Sequence, residues 1–514
     1  MNAQVALGRG ERNIIAGAAI MASALQTLDL TIANTALPEI QGSLAATQDQ
    51  IAWVLTFYAV AGAIMTSPTT WLAERFGYRR VFATSIATFT LLSVFCGLAG
   101  SVTQLAILRF LQGLSGAAIM PLSQATLMMI FPPEARARVF AVWMMGTLLG
   151  PILGPTVGGY ITEEYNWRWI FLMNIPFGIV AVLPIMALMP EHRTPLKPRF
   201  DTRGFLLLSI AVGSLQLGLD RGHRNDWFES AETVVEAALC VTGLYLFVLH
   251  LRRAEQPFLP RELFHNRTFV TGTLLAALAS GLLMGTMMLA PALLQHVFDY
   301  PVIEAGLLTS PRGLGALFAT IVVARYGARL NGRMLIIMGI LLIALSLWYS
   351  MRFSLDTTPE IFVATSVLQG VGMALMFGTL QVMSFNALSV AMQTHGATLF
   401  SLGRYLGGSV GMSLMATLLA RNTQQMHERL REHVTVFEDP STMLPQAWDW
   451  SSLPGAMLLD HEITRQAMLI AYLNDFAILM WAILAALPFV LLMREAKRPA
   501  GSAERATTTP IMTD

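Results

Sequence analysis

The sequence predicts an all-α polytopic membrane protein with fourteen transmembrane helices, and three observations predict it. Of its 514 residues 54% are hydrophobic and only 13% charged, about half the charge of a soluble domain. The apolar residues gather in runs of about twenty, the length a helix needs to cross a hydrocarbon core of about 30 Å. A surplus on this scale is not one large soluble core, because such cores stop growing at about 250–300 residues. Backbone polar groups in lipid must be satisfied internally, and barrel strands would read as about ten residues of alternating polarity. Helices are the reading that remains.

The runs fall at about residues 13–37, 51–72, 81–101, 104–130, 138–160, 168–189, 204–220, 233–250, 269–296, 305–324, 334–351, 360–384, 397–420 and 468–493. Met1 to Arg12 is short and polar. The run after it is too long for a signal-peptide core and lacks a small-residue cleavage site, so it is expected to remain as the first span.

Lysine and arginine orient the spans. With the N-terminus placed in the cytoplasm, the cytoplasmic connections hold 22 of the 33 basic residues, among them Arg9, Arg75, Arg79, Arg80, Arg193, Lys197, Arg329 and Lys497. The opposite connections hold eight, and Arg109, Arg312 and Arg404 fall inside spans. This is the positive-inside asymmetry, and an even helix count puts both termini in the cytoplasm. One external connection is long, from about Arg421 to Ala467, with Pro440, Pro445, Trp448 and Trp450 after a charged stretch that begins at His427. Loops of that length are functional or disordered.

Net charge is +1, which argues against nucleic acid as a partner. Cys96 and Cys240 both sit in apolar runs, with no CxxC pair for a metal or redox centre. Gly407-Gly-Ser-Val-Gly411 fits the GxSxG pattern but lies in an apolar helical run without the strand that motif requires. His427-Glu428 begins like HExxH, but the next histidine, His433, falls on another helix face. No GxxxxGK[ST] phosphate loop occurs. The chain is therefore not expected to be an enzyme or an ATPase, and an ion gradient or the cargo's own gradient must supply the energy.

The chain also repeats itself. Glu74-Arg-Phe-Gly-Tyr-Arg-Arg80 after the second span is echoed by the loop Arg325 to Arg333 after the tenth. Leu111-Gln-Gly113 in the fourth span is echoed by Leu368-Gln-Gly370 in the twelfth, and the fifth and thirteenth spans are both glycine-rich. Each match relates a span to the one eight later. That offset gives two six-helix halves, 1–195 and 269–514, with a two-helix insertion at 196–268. Repeated halves point to a transporter.

At these residues the sequence resembles a known family. They are Asp29-Leu-Thr-Ile-Ala-Asn-Thr-Ala-Leu-Pro38, Leu72-Ala-Glu-Arg-Phe-Gly77 with Arg79 and Arg80, Arg109-Phe-Leu-Gln-Gly113, and Gly150-Pro-Ile-Leu-Gly-Pro-Thr-Val-Gly-Gly159. Tyr165-Asn-Trp-Arg-Trp-Ile-Phe171, Asn174-Ile-Pro176, Gly213-Ser-Leu-Gln216, Leu219-Asp-Arg-Gly222 and Asp226-Trp-Phe228 complete the set. The chain resembles the fourteen-helix drug:proton antiporters of the major facilitator superfamily, EmrB-like inner-membrane pumps in particular, over residues 11–495. It departs from the family's loop pattern at Thr70, where glycine is usual, and at Glu74, where most members have aspartate. The resemblance implies proton-driven export of hydrophobic and amphipathic toxic compounds by alternating access in the bacterial inner membrane. No cofactor beyond the proton gradient is implied. The implied partners are a periplasmic EmrA-like adaptor and a TolC-like outer-membrane channel. The alternative is an exporter of the same fold with a dedicated substrate such as a siderophore or a fatty acid.

Asp29 is the candidate proton carrier. A charge at the bilayer centre costs about 2.5–3.5 kcal/mol on insertion scales, so an intramembrane acid defaults to a functional reading. It lies about 12 Å from the outer end of its helix and Arg109 about 8 Å from the same side, at 1.5 Å per residue. The two can therefore meet, either as a proton-coupling pair or as a static ion pair. Asp475 in the last span is a second titratable candidate or an interfacial polar group. Asn34, Gln112, Arg312 and Arg404 are candidate cavity residues, and either arginine could instead snorkel to the interface. Gly146, Gly150, Gly154 and Gly158 recur every fourth residue, as do Gly403, Gly407 and Gly411. Such stripes allow close helix approach, either as a sliding surface between halves or as plain packing. Glu74, Arg75, Gly77, Arg79 and Arg80 are read as a latch between halves or as simple topology charge. The methionines in spans, such as Met284 and Met373, suit a promiscuous cavity and ordinary packing alike.

Overall fold

A computed structural model describes residues 7–191, 199–222, 227–255, 257–326, 330–389, 392–432 and 453–493. Among the described residues every regular element is helical. The principal helices are α1 (Arg9–Thr35), α2 (Gln48–Thr66, continued by Thr69–Phe76), α3 (Tyr78–Gly97), α4 (Val102–Ile130), α5 (Pro133–Glu164), α6 (Trp169–Leu188) and α7 (Thr202–Gly222). They continue with α8 (Ala231–Arg253), α9 (Arg267–His296), α10 (Ile303–Val323), α11 (Gly332–Ser350), α12 (Pro359–Asn386), α13 (Gln393–Glu432) and α14 (Leu453–Leu492). Eleven are long and apolar enough to cross a membrane, and twelve if the two segments of α2, bent by 57°, form one span. The glycine stripes lie on two further long helices, α5 and α13.

Proline accounts for the breaks. The ring removes an N–H donor and displaces the carbonyl four residues earlier. The α2 bend falls at Pro68, and interruptions in α4, α6 and α14 lie about one turn before Pro121, Pro176 and Pro488. At the α2–α3 turn Gly77 takes φ of 100°, a conformation open to glycine and strained for other residues.

One boundary differs from the sequence expectation. The external connection was expected from Arg421 to Ala467, yet α13 runs on to Glu432 and α14 begins at Leu453. Hydropathy marks where a helix leaves the apolar zone, not where it ends. The two polar extensions meet through His427 Nε2 and Asp460 Oδ1, 3.4 Å apart. Trp448, Trp450, Pro440, Pro445 and His433 lie outside the described residues, as do Arg193, Lys197, Arg224, Asp226, Arg329, Arg494, Lys497, Arg498 and Arg505.

The packing repeats with the same eight-span offset as the motifs. The α1 helix lies on α5, α2 on α4, and α3 on α6; correspondingly α9 lies on α13, α10 on α12, and α11 on α14. The α7 and α8 helices pack on each other, and α7 rests against α2 and α13. Contacts between the two sets run chiefly from α5 to α10 and α12, and from α4 and α2 to α13.

The glycine stripes face inward within each set. A methyl group on Gly150 would stand 2.5 Å from the backbone nitrogen of Leu28 in α1, and one on Gly158 2.8 Å from Ile32. Gly146 and Gly154 likewise press on Ile20 and Thr31 of α1. In the second set Gly403 meets Thr273, Gly407 the backbone of Ala277, and Gly411 that of Gly281, all in α9. Thr31 donates its hydroxyl to the Gly150 carbonyl at 3.0 Å, a bond that needs this close approach. The stripes thus join α1 to α5 and α9 to α13, and do not form the surface between the two sets. Gly150→Ala and Gly407→Ala should each lose about 1–3 kcal/mol, the usual cost of overpacking. Gly378→Ala, whose new methyl has nothing within 4 Å, should lose none, and thermal unfolding in detergent compares the three.

Candidate functional site

Five helices converge on a fully buried ion pair. Asp29 and Arg109 are both 0% exposed, and Arg109 Nη1 donates to Asp29 Oδ2 at 2.5 Å. The opposite carboxylate oxygen accepts from Gln112 Nε2 at 3.2 Å and from Asn174 Nδ2 at 2.8 Å. Arg109 Nη1 also donates to Gln112 Oε1 at 2.9 Å. A second tier holds the asparagine: its Nδ2 reaches Ser93 Oγ at 2.8 Å, and Ser93 donates to the Phe171 carbonyl at 2.9 Å. The guanidinium lies over the Tyr58 ring, 4.2 Å from its centroid, where the π-face favours a cation. Two of its nitrogens, Nε and Nη2, have no partner among the described residues. The carboxylate is thus saturated on both oxygens, while the arginine is held by one nitrogen and a ring face.

The cavity lies beside this cluster and not around it. It has a volume of about 210 Å³ and draws its walls from α1, α2, α4, α5, α7, α9, α12 and α13. Asp29 and Gln112 are not on its wall, but Tyr58 is, so one tyrosine has a face on Arg109 and an edge on the cavity. The wall is mostly apolar, with Met120, Met144, Met284, Met373 and Met412 among its residues. Arg404 also lines it, whereas Asn34 is exposed near the end of α1.

Arg312, only 5% exposed, does not snorkel; it faces a separate small cavity of about 30 Å³ lined by Thr286, Ser366 and Gln369. Asp475 is buried against α13, where its Oδ1 accepts from Asn422 at 2.8 Å and its Oδ2 has no partner among the described residues.

At the end carrying the basic α2–α3 loop, the contact between sets is made by Glu74, one of the expected loop residues, and not by the loop's arginines. Arg79 and Arg80 point to Glu191, which follows α6, at 3.7 and 3.6 Å, and Arg75 is exposed. The bridge to α13 is Glu74 Oε1 to His395 Nε2 at 3.1 Å, together with the Thr70 and Thr398 hydroxyls at 2.6 Å. Thr70 and Glu74 are the two positions at which the loop departs from its family pattern.

Sequence reading paired Asp29 with Arg109 but left Asn174, Ser93, Tyr58 and His395 unassigned. Asn174 stood in a noted motif, Ser93 and Tyr58 are ordinary span residues until the helices are assembled, and His395 fell in the connection before the thirteenth span.

Residues 19–412 match the model of the Major Facilitator Superfamily. The chain belongs to that superfamily. It is 33% identical over 455 residues to the multidrug export protein EmrB of Haemophilus influenzae, spanning 88% of this chain and 89% of that one. To the fatty acid resistance protein FarB of Neisseria gonorrhoeae it is 32% identical over 414 residues, 80% of this chain and 82% of the other. The solved proton:xylose symporter XylE shares the fold with a TM-score of 0.58 at 14% identity, covering 92% of this chain and 97% of that one.

Two results are expected. Arg109→Ala should lower stability by about 3–5 kcal/mol, because it strands a buried carboxylate; a thermal melt in detergent reads the loss. Thr70→Cys with Thr398→Cys should form a disulfide under mild oxidation, since the hydroxyls they replace are 2.6 Å apart, and a gel-mobility shift reports it.

Proposed function

We propose that this chain is a proton-driven exporter of hydrophobic and amphipathic toxic compounds, working by alternating access in the bacterial inner membrane with both termini cytoplasmic. The observation that carries this reading is the shared tyrosine: Tyr58 lines an apolar cavity and covers the guanidinium that holds Asp29. Cargo that displaces this ring changes the surroundings of Arg109. A carboxylate that loses its arginine in a low-dielectric site binds a proton more readily, and one that regains it lets the proton go. Proton and cargo are thereby linked without sharing a space.

In this reading the division is 1–195, 196–268 and 269–514, and the two six-helix units rock about the cavity. The Thr70–Thr398 and Glu74–His395 contacts close the cytoplasmic end and open when the cavity faces inward. Asp475 and Arg312 are assigned to the second unit's own support. The names of EmrB and FarB support export of toxic amphiphiles, and FarB's name favours the second reading, a dedicated fatty-acid exporter.

A periplasmic adaptor and an outer-membrane channel complete the proposed pump, with the segment around Trp448 and Trp450 as the adaptor contact. Replacing both tryptophans with alanine should weaken co-purification with the adaptor and spare proton flux in vesicles that lack it. Collapse of vesicle flux with adaptor binding intact would assign that segment to the transport path.

Asp29→Asn keeps the shape and removes the charge. Drug-dependent proton movement in proteoliposomes should fall to the background of empty vesicles while the protein still inserts. Wild-type flux from this variant would overturn the coupling role of Asp29.

A further inference from the structure

The geometry points to the charge of the cargo: the cavity selects amphipathic carboxylates over amphipathic cations, and Arg404 is the residue that reads the head group. This rests on the exporter reading above and adds a substrate class to it.

One face of α13 carries Ser401, Arg404, Tyr405, Gly408 and Met412 onto the cavity wall, the three-and-four spacing of a helix. Among the described residues Arg404 is the only charged one on that wall, with no aspartate, glutamate, lysine or histidine beside it. Among the described residues none of the carboxylates on the helices that build the wall lines the cavity. Asp29 is held by Arg109, and Asp220 accepts from Gln216 at 3.1 Å. Among the described residues Arg404 has no ion pair and no hydrogen bond. Its guanidinium carbon lies over the Phe377 ring, 5.4 Å from the centroid.

The surrounding polar atoms are also unsatisfied. Arg404 Nε and the Ser401 and Ser409 hydroxyls are buried without partners among the described residues. Each is a hydrogen-bond donor. Arg404 is half-buried, and a cation partly withdrawn from water without a counter-charge is disfavoured, as are buried polar groups left unpaired. A carboxylate head answers both, giving Arg404 its counter-charge and the hydroxyls an acceptor, while its tail lies along the methionines and Leu283. An ammonium head would meet a like charge with no acid on the wall to offset it. A neutral head falls between.

The test uses the full-length protein in nanodiscs at about pH 7.5, where carboxylic acid and alkylamine are both ionised. Three probes share one tail: decanoate, decanamide and decylammonium. Decanoate should bind at least about tenfold tighter than decylammonium, as expected of a charge-assisted contact, with decanamide between them. Arg404→Gln should remove the preference and leave decanamide binding in place, Arg404→Lys should keep it, and Arg404→Glu should reverse it. Equal binding of decanoate and decylammonium by the wild type overturns the proposal, as does a preference that survives Arg404→Gln. Proton-driven uptake into proteoliposomes separates the two readings. Transport of decanamide without any charge preference leaves the exporter standing and removes the carboxylate site. Charge-selective binding with no driven transport of any probe removes the exporter instead.

Discussion

The architecture around α1 depends on one constraint: an aspartate and an arginine withdrawn from water must be satisfied by protein alone. Asp29 and Arg109 come from different helices, and the groups that complete them come from three more, through Tyr58, Ser93 and Asn174. Desolvating two charges costs several kcal/mol per ion, repaid only with good geometry and further hydrogen bonds. Every helix that contributes a partner is therefore tied to the others. The tie is also asymmetric. The carboxylate has partners on both oxygens, whereas the guanidinium keeps two nitrogens free. The arginine is the side chain with bonding capacity to spare, and Tyr58 is the one group it shares with the cavity.

The contacts of the two helix sets differ in kind from the contacts that join them. Within a set, glycines bring backbones together, as at Gly407 with Ala277 and Gly411 with Gly281. Such surfaces have two tightly packed arrangements at most, since interiors are close-packed and lose dispersion contacts as soon as a gap opens. Between the sets several contacts are single hydrogen bonds that water can replace: Thr70 with Thr398, Glu74 with His395, and the Tyr405 hydroxyl donating to the Ala59 carbonyl at 2.8 Å. Net hydrogen-bond contributions of about 0.5–1.5 kcal/mol make these bonds easy to exchange. In the exporter proposed above, the glycine stripes hold each unit together, and the threonines, the Glu74–His395 pair and Tyr405 are the contacts that part when the units separate. A motion that opens one end and closes the other needs both.

Much of the fold was legible because membranes restrict the options. Apolar runs, the Leu-Gln-Gly repeat and the two glycine stripes located the spans and the eight-span offset, and the same offset governs which helices pack together. The Asp29–Arg109 pair was also legible, since an acid and a base at equal depth in apolar helices have few other partners. The failures share one cause. Gln112 was assigned to the cavity and sits on the ion pair, Asn34 was assigned there and is exposed, and of the loop residues read as a latch Glu74 reaches α13 while Arg79 and Arg80 turn to Glu191. Each depends on the direction a side chain takes once helices are rotated against their neighbours.

The sequence by itself determined that the chain is a helical membrane protein, and which buried charges need partners. Those properties follow from transfer free energies, which depend on residue type and span length alone. Only the tertiary structure decided that Asp29 is separated from the cavity by Tyr58, that the glycine stripes bind within a set, and that Arg404 faces the cavity without a counter-charge. These are facts about helix rotation and tilt. Many apolar faces pack almost equally well, so hydropathy does not choose among them. The choice falls to a few polar groups that must find partners and a few glycines that must find a backbone.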